Sequence, residues 1–123
     1  MKWDIDKSRP ICPQICEQIC VGIINGEFLT KQKLQSVREL AVTLGVNPNT
    51  IQKSYDLLEE EKVIYSVRGS GWYVEEDTSV AANVVNEICL KKTDEYLLMM
   101  RRLGCDFERV LEYLKERKGD NDE

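Results

Sequence analysis

Histidine is absent from the 123 residues, and proline occurs only three times. Without histidine the chain lacks the side chain that most often serves as a general base or a transition-metal ligand. Enzyme readings therefore start at a disadvantage, and no cofactor is implied. No run approaches the roughly 20 apolar residues that a membrane-spanning helix needs, so no membrane partner is expected. Met1 to Asp6 show no basic segment leading into an apolar one; no signal peptide is visible, and the cytoplasm is the expected location. Positive charge is also scarce. Lys and Arg number 17 against 22 Asp and Glu, for a net charge of −5, a poor balance for a partner made of phosphate. The deficit is uneven, with residues 1–75 at −1 and residues 76–123 at −4. Local clustering, not the total, decides what the first part can meet.

What is present suits a folded chain. Hydrophobic residues make up 42% and charged residues 32%, the balance of a packed domain with a small appendage. Five cysteines are expected to be reduced in the cytosol.

Trp3 and Ile5 alternate with polar neighbours and suggest an extended start. Ile15, Cys16, Ile19 and Ile23 then recur at helical spacing, with Pro13 in the first turn and Asn25-Gly26 as the stop. Glu27 to Gln35 reads as a loop. Ser36-Val37-Arg38-Glu39 matches a capping box, opening a second helix that buries Val37, Leu40, Ala41 and Leu44 and ends at Gly45. Asn47 is an N-cap and Pro48 an N1 residue for a third helix. That helix buries Ile51, Tyr55 and Leu58 and turns Asn49, Gln52, Lys53 and Asp56 the other way. Val63 to Val67 and Trp72 to Val74 are strands around the turn Arg68-Gly69-Ser70-Gly71. The acids Glu75-Glu76-Asp77 mark the expected boundary between residues 1–76 and 77–123. Residues 79–103 predict a long helix, roughly 37 Å at about 1.5 Å per residue, with Ala81, Val85, Ile88, Tyr96, Met99 and Leu103 on one arc. Gly104 breaks it. Asp106 caps a last helix with Phe107, Val110, Leu111 and Leu114 inward, and residues 118–123 are expected to fray.

The fold class is thus α+β, mostly α: three helices and a β-hairpin wing, followed by a two-helix tail. Only Gly45-Val46-Asn47 separates the second and third helices, the spacing of a helix-turn-helix. Such a unit lays its second helix in the major groove of double-stranded DNA, N-terminal residues against base edges. Asn47, Pro48, Asn49 and Thr50 hold that place, with Gln52 and Lys53 one turn on. Asn and Gln suit adenine, and Lys53 suits a phosphate. Ser36 and Arg38 open the second helix, and Arg68-Gly69 tip the wing near a minor groove or backbone.

On these residues the chain resembles the GntR family of regulators. The matching stretches are Pro10-Ile11-Cys12-Pro13-Gln14-Ile15, Leu34-Gln35-Ser36-Val37-Arg38-Glu39-Leu40-Ala41, Gly45-Val46-Asn47-Pro48-Asn49-Thr50, and Val63-Ile64-Tyr65 with Arg68-Gly69-Ser70-Gly71. The short tail is similar to that of the YtrA subfamily. The resemblance implies DNA contacts by Arg38, Asn47, Asn49, Thr50, Gln52, Arg68 and Gly69. It also implies a tail that dimerises, and a repressor or dual regulator, often of neighbouring transport genes. A homodimer on a palindromic operator is expected, with the tail surface formed by Val85, Ile88, Tyr96, Met99, Leu103, Val110 and Leu114. No residue pattern identifies an effector. Departures from the family are Gln35 for proline, Gln52 for a basic residue, and cysteines at 12, 16 and 20.

Two alternatives stand beside this reading. Net acidity also suits a winged-helix module that binds protein and not DNA. The cysteines at i, i+4 and i+8 read first as core thiols. One zinc cannot easily reach all three, since the outer pair is about 12 Å apart along the axis. A thiol or metal switch is the sharper reading, with Cys20, at the edge of the apolar arc, as its expected reactive group.

Overall fold

The computed structural model describes residues 1–121; of the tail end expected to fray, 122 and 123 lie outside the described residues. The element order is α1 (Ile11–Ile24), α2 (Val37–Leu44), α3 (Pro48–Glu60), β1 (Ile64–Val67), β2 (Gly71–Val74), α4 (Ser79–Arg102) and α5 (Phe107–Asn121). The local signals act as written. Ser36 and Glu39 complete a reciprocal capping box at α2, and Gly45 ends that helix in the left-handed region at φ 65. At α3, Asn47 accepts from the Asn49 amide, with Pro48 in the first turn. Asp106 Oδ1 accepts from the Arg109 amide at 3.0 Å, capping α5.

Two compact units result, Met1–Asn86 and Glu87–Glu123. In the first, α1 and α3 pack closely, α2 joins them, and the hairpin runs antiparallel with Ile64 opposite Val74 and Tyr65 opposite Tyr73. The core is Ile15, Ile19 and Cys20 of α1, Leu40 of α2, Ile51, Tyr55 and Leu58 of α3, and Ile64 and Val74 of the wing. Tyr55 ties these elements together. Its ring meets Trp72 edge-on at 5.4 Å, and its hydroxyl donates to the Gln35 carbonyl at 2.7 Å.

Three features differ from expectation. The stretch before α2 is not all loop: the Lys31 and Leu34 amides donate to the Val74 and Trp72 carbonyls, the Val74 amide donates to the Gln32 carbonyl, and Lys33 bridges to Tyr73. Next, the N-terminal segment is held by α1. Gln18 exchanges hydrogen bonds with the Asp4 backbone, and Gln14, one turn earlier, does the same with Asp6. Finally, the first unit reaches Asn86, ten residues past the acidic boundary. Ala81 is buried, and Val80, Val84 and Val85 pack on the same core, so the start of α4 covers apolar surface that the wing and α1 leave bare.

In the second unit Val110 is 1% exposed and Leu111 half-buried. Phe107 and Leu114, expected inward, are 56% and 50% exposed. The inward stripe of α5 is therefore narrower than its apolar count suggests.

Replacing Tyr55 by Phe removes the bond to the Gln35 carbonyl and opens no cavity. A loss of about 1 kcal/mol is expected, read as a lower urea midpoint with an unchanged slope.

Candidate nucleic-acid interface

The ten expected DNA-facing residues all lie in the first compact unit. Ser36, Arg38, Asn47, Pro48, Asn49, Gln52, Lys53, Arg68 and Gly69 are exposed, and Thr50 is half-buried. On α3 the division is sharp: Ile51, Tyr55 and Leu58 are no more than 3% exposed, while Asn49, Gln52 and Lys53 face solvent. A helix anchored along one stripe presents the other in fixed register.

The cations there are uncommitted. Among the described residues the ion pairs are Arg9–Asp6 and Lys31–Glu76; Arg38, Lys53 and Arg68 take part in neither. The local salt bridge that would explain Arg38 structurally is absent among the described residues.

Several polar groups already hold the backbone, which limits what else they can contact. The Ser36 hydroxyl accepts from the Glu39 amide at 3.1 Å. The Asn47 side-chain Oδ1 accepts from the Asn49 amide at 2.8 Å, leaving its NH₂ as the outward group. Gln52 donates through Nε2 to Asp56 Oδ1 at 2.9 Å. One N–H and the oxygen of that amide stay open, the donor–acceptor pair that adenine needs. The Glu39 carboxyl sits below its ordinary value because the Ser36 backbone and side chain hydrogen-bond to it.

At the wing tip the Ser70 amide donates to the Val67 carbonyl at 2.9 Å, and Gly69 has φ 78, a conformation that favours glycine. The Gly71 Cα stands close over Lys33, where an added Cβ would lie 3.1 Å from Lys33 Cε. Lys33 is therefore a further cation beside the wing. Sequence reasoning missed it because its segment looked like loop.

The residues expected to pair two copies divide. Val85 is half-buried against the first unit's core, and Val110 is buried within the tail. Ile88 is half-buried. Tyr96, Met99, Leu103 and Leu114 are 36%, 57%, 80% and 50% exposed.

The cysteine expectation is also corrected. Cys20 is 1% exposed, and burial pushes its thiol up to about 11. Cys12 and Cys16 are half-buried, and Cys89 is exposed. Burial likewise pushes the Cys16 thiol up to about 12.

Comparison with known proteins agrees with this geometry. Residues 13–74 match the family model described as bacterial regulatory proteins, gntR family. YhcF of Bacillus subtilis, an HTH-type transcriptional regulator, is 33% identical over 115 residues, covering 94% of this chain and 95% of that protein. The B. subtilis HTH-type transcriptional repressor YtrA is 33% identical over 118 residues, covering 95% and 91%. A solved GntR family transcriptional regulator from Listeria monocytogenes superposes with a TM-score of 0.78 at 40% identity, covering 91% of this chain and 98% of that one.

Thiol reactivity should follow exposure and thiolate content. With limiting iodoacetamide near neutral pH, Cys89 is expected to alkylate first and Cys20 last, followed by peptide mass spectrometry. Early modification of Cys20 in the folded protein contradicts its burial.

Proposed function

The chain belongs to the GntR family of bacterial regulatory proteins, a transcriptional regulator with a DNA-binding domain, and from that premise we propose that it is a homodimeric repressor that reads a two-fold symmetric operator in the cytoplasm. The observation that carries the reading is α3, buried along Ile51, Tyr55 and Leu58 and open along Asn49, Gln52 and Lys53. Its first turn enters the major groove. Asn47, Asn49 and Gln52 meet base edges, with Pro48 and Thr50 shaping the approach. Ser36, Arg38 and Lys53 hold phosphates or the groove edge. Arg68 and Gly69 bring the wing to the neighbouring backbone, with Lys33 behind them. The relative YtrA is named a repressor, which supports the sign of regulation. Genes beside its own, transport genes among them, are the proposed targets.

Dimerisation follows from what the tail leaves bare. Leu90, Leu98, Met99, Leu103, Phe107 and Leu114 are each more than 40% exposed, more apolar surface than a small tail keeps in water without a partner. A second copy covers it and supplies the second recognition helix.

Selection from a random DNA pool should return an inverted repeat. On that site, Arg38→Ala should weaken binding by at least about 1 kcal/mol, and log affinity should fall steeply with log salt. An intact fold with unchanged affinity removes Arg38 from the interface. Leu103→Glu should shift the sedimenting species from dimer to monomer and weaken operator binding with it. A protein that stays dimeric refutes the tail interface.

A further inference from the structure

DNA recognition does not use the other side of the α1–α3 pair. There an apolar groove of about 320 Å³ runs beside Cys12, Cys16 and Cys20 of α1, Leu57 and Leu58 of α3, and Val84 of α4. Cys12 and Cys16 lie one turn apart on α1, both line the groove and both are half-buried, whereas Cys20 is buried. Among the described residues no set of three ligands is disposed to hold a metal ion, so the groove offers a pair of thiols and not a closed metal cage. Glu17 and Glu61 border it, which disfavours an anionic occupant. The fitting ligand is small, uncharged and apolar, with one centre that takes two soft sulfur donors.

We propose that this groove binds a trivalent organoarsenical through Cys12 and Cys16, and that occupancy weakens DNA binding. An arsenoxide, R–As=O, forms two As–S bonds. Both S–H bonds break, and the arsenic-bound oxygen leaves with the two protons as water. Arsenic stays trivalent and no electrons are transferred. The organic group lies along Leu57, Leu58 and Val84. The coupling runs through Cys16, whose thiol donates to the Ser54 carbonyl of α3 at 3.6 Å. Ser54 is fully buried, and its hydroxyl donates to the Thr50 carbonyl at 2.8 Å, one turn toward the DNA-reading end. Chelation removes the Cys16 proton and this tie. The coupling rests on α3 being the recognition helix; the binding itself does not.

The probe is phenylarsine oxide on the full chain. One equivalent should add one phenylarsenic group less two hydrogens to each chain by native mass spectrometry, and titratable thiols should fall from five to three. Operator affinity should drop roughly tenfold, and excess dimercaptopropanol should restore it. Cys12→Ser and Cys16→Ser should each abolish the adduct, and Cys89→Ser should retain it. Cys12→Ala, which adds no polar group, serves if a serine variant misfolds. No adduct on the native chain, or an adduct that persists without Cys12, overturns the site. An adduct with unchanged operator affinity overturns the coupling alone. A chain that takes the adduct but never bound DNA refutes the DNA reading and leaves the thiol site standing.

Discussion

The burial of one stripe of α3 is the constraint on which the first unit rests. Ile51 and Leu58 each contribute about 1.5–3 kcal/mol by leaving water, a large part of a net stability that is on the order of 10 kcal/mol. Tyr55 does more than fill space. Its ring holds Trp72 of the wing, and its hydroxyl holds the Gln35 carbonyl just before α2 opens. One residue therefore couples the wing, α3 and the start of α2. The outward residues of α3 inherit their placement from this inward anchoring.

Part of the acidity that weighs against DNA binding has a structural task at the backbone. Asp6 serves the turn at Ser8 and Arg9, Glu39 the start of α2, Asp77 the start of α4 and Asp106 the start of α5. Glu59 holds the Ser66 amide and hydroxyl of β1. Glu39, Asp77 and Asp106 stabilise helix N-termini, where negative charge meets the positive end of the dipole. Asp6, Glu39 and Asp77 are held below their ordinary values, chiefly by hydrogen bonds from Ser8, Ser36 and Ser79. A depressed carboxyl contributes stability above the usual carboxylate range and loses it as pH falls. The chain's negative charge thus works on its own backbone, while Arg38, Lys53 and Arg68 are left outside the ion pairs.

How much of this was legible depended on the range of each signal. The caps at Ser36, Asn47 and Asp106, the left-handed Gly45 and the Arg68–Gly71 turn are chemical statements made within four residues, and each reads directly. The pairing of residues 31–34 with β2 is backbone chemistry across some forty positions, carried by side chains with no alternating pattern. The Gln14 and Gln18 clamp looks like solvent-facing polarity until the N-terminal segment arrives. Cys20 sits at the edge of an apolar arc, and only the packed core decides which side of that edge is sealed. The acids at 75–77 mark a turn but do not reveal that Ala81 and Val84 dock immediately after it.

The tail shows the same limit, and its exposed apolar residues are the ground for the proposed second copy. An amphipathic pattern says which residues are apolar, not how many a single chain can bury. Among the described residues of α5 only Val110 is fully buried, and Phe107 and Leu114 remain exposed. α4, free of glycine and proline from Ser79 to Arg102, adds Met99, and Leu103 follows it in the turn. An interface built from these residues is self-complementary when two identical copies meet about a two-fold axis. In the proposed dimer, folding of the tail, association and operator binding would share one free energy, and stability would depend on protein concentration.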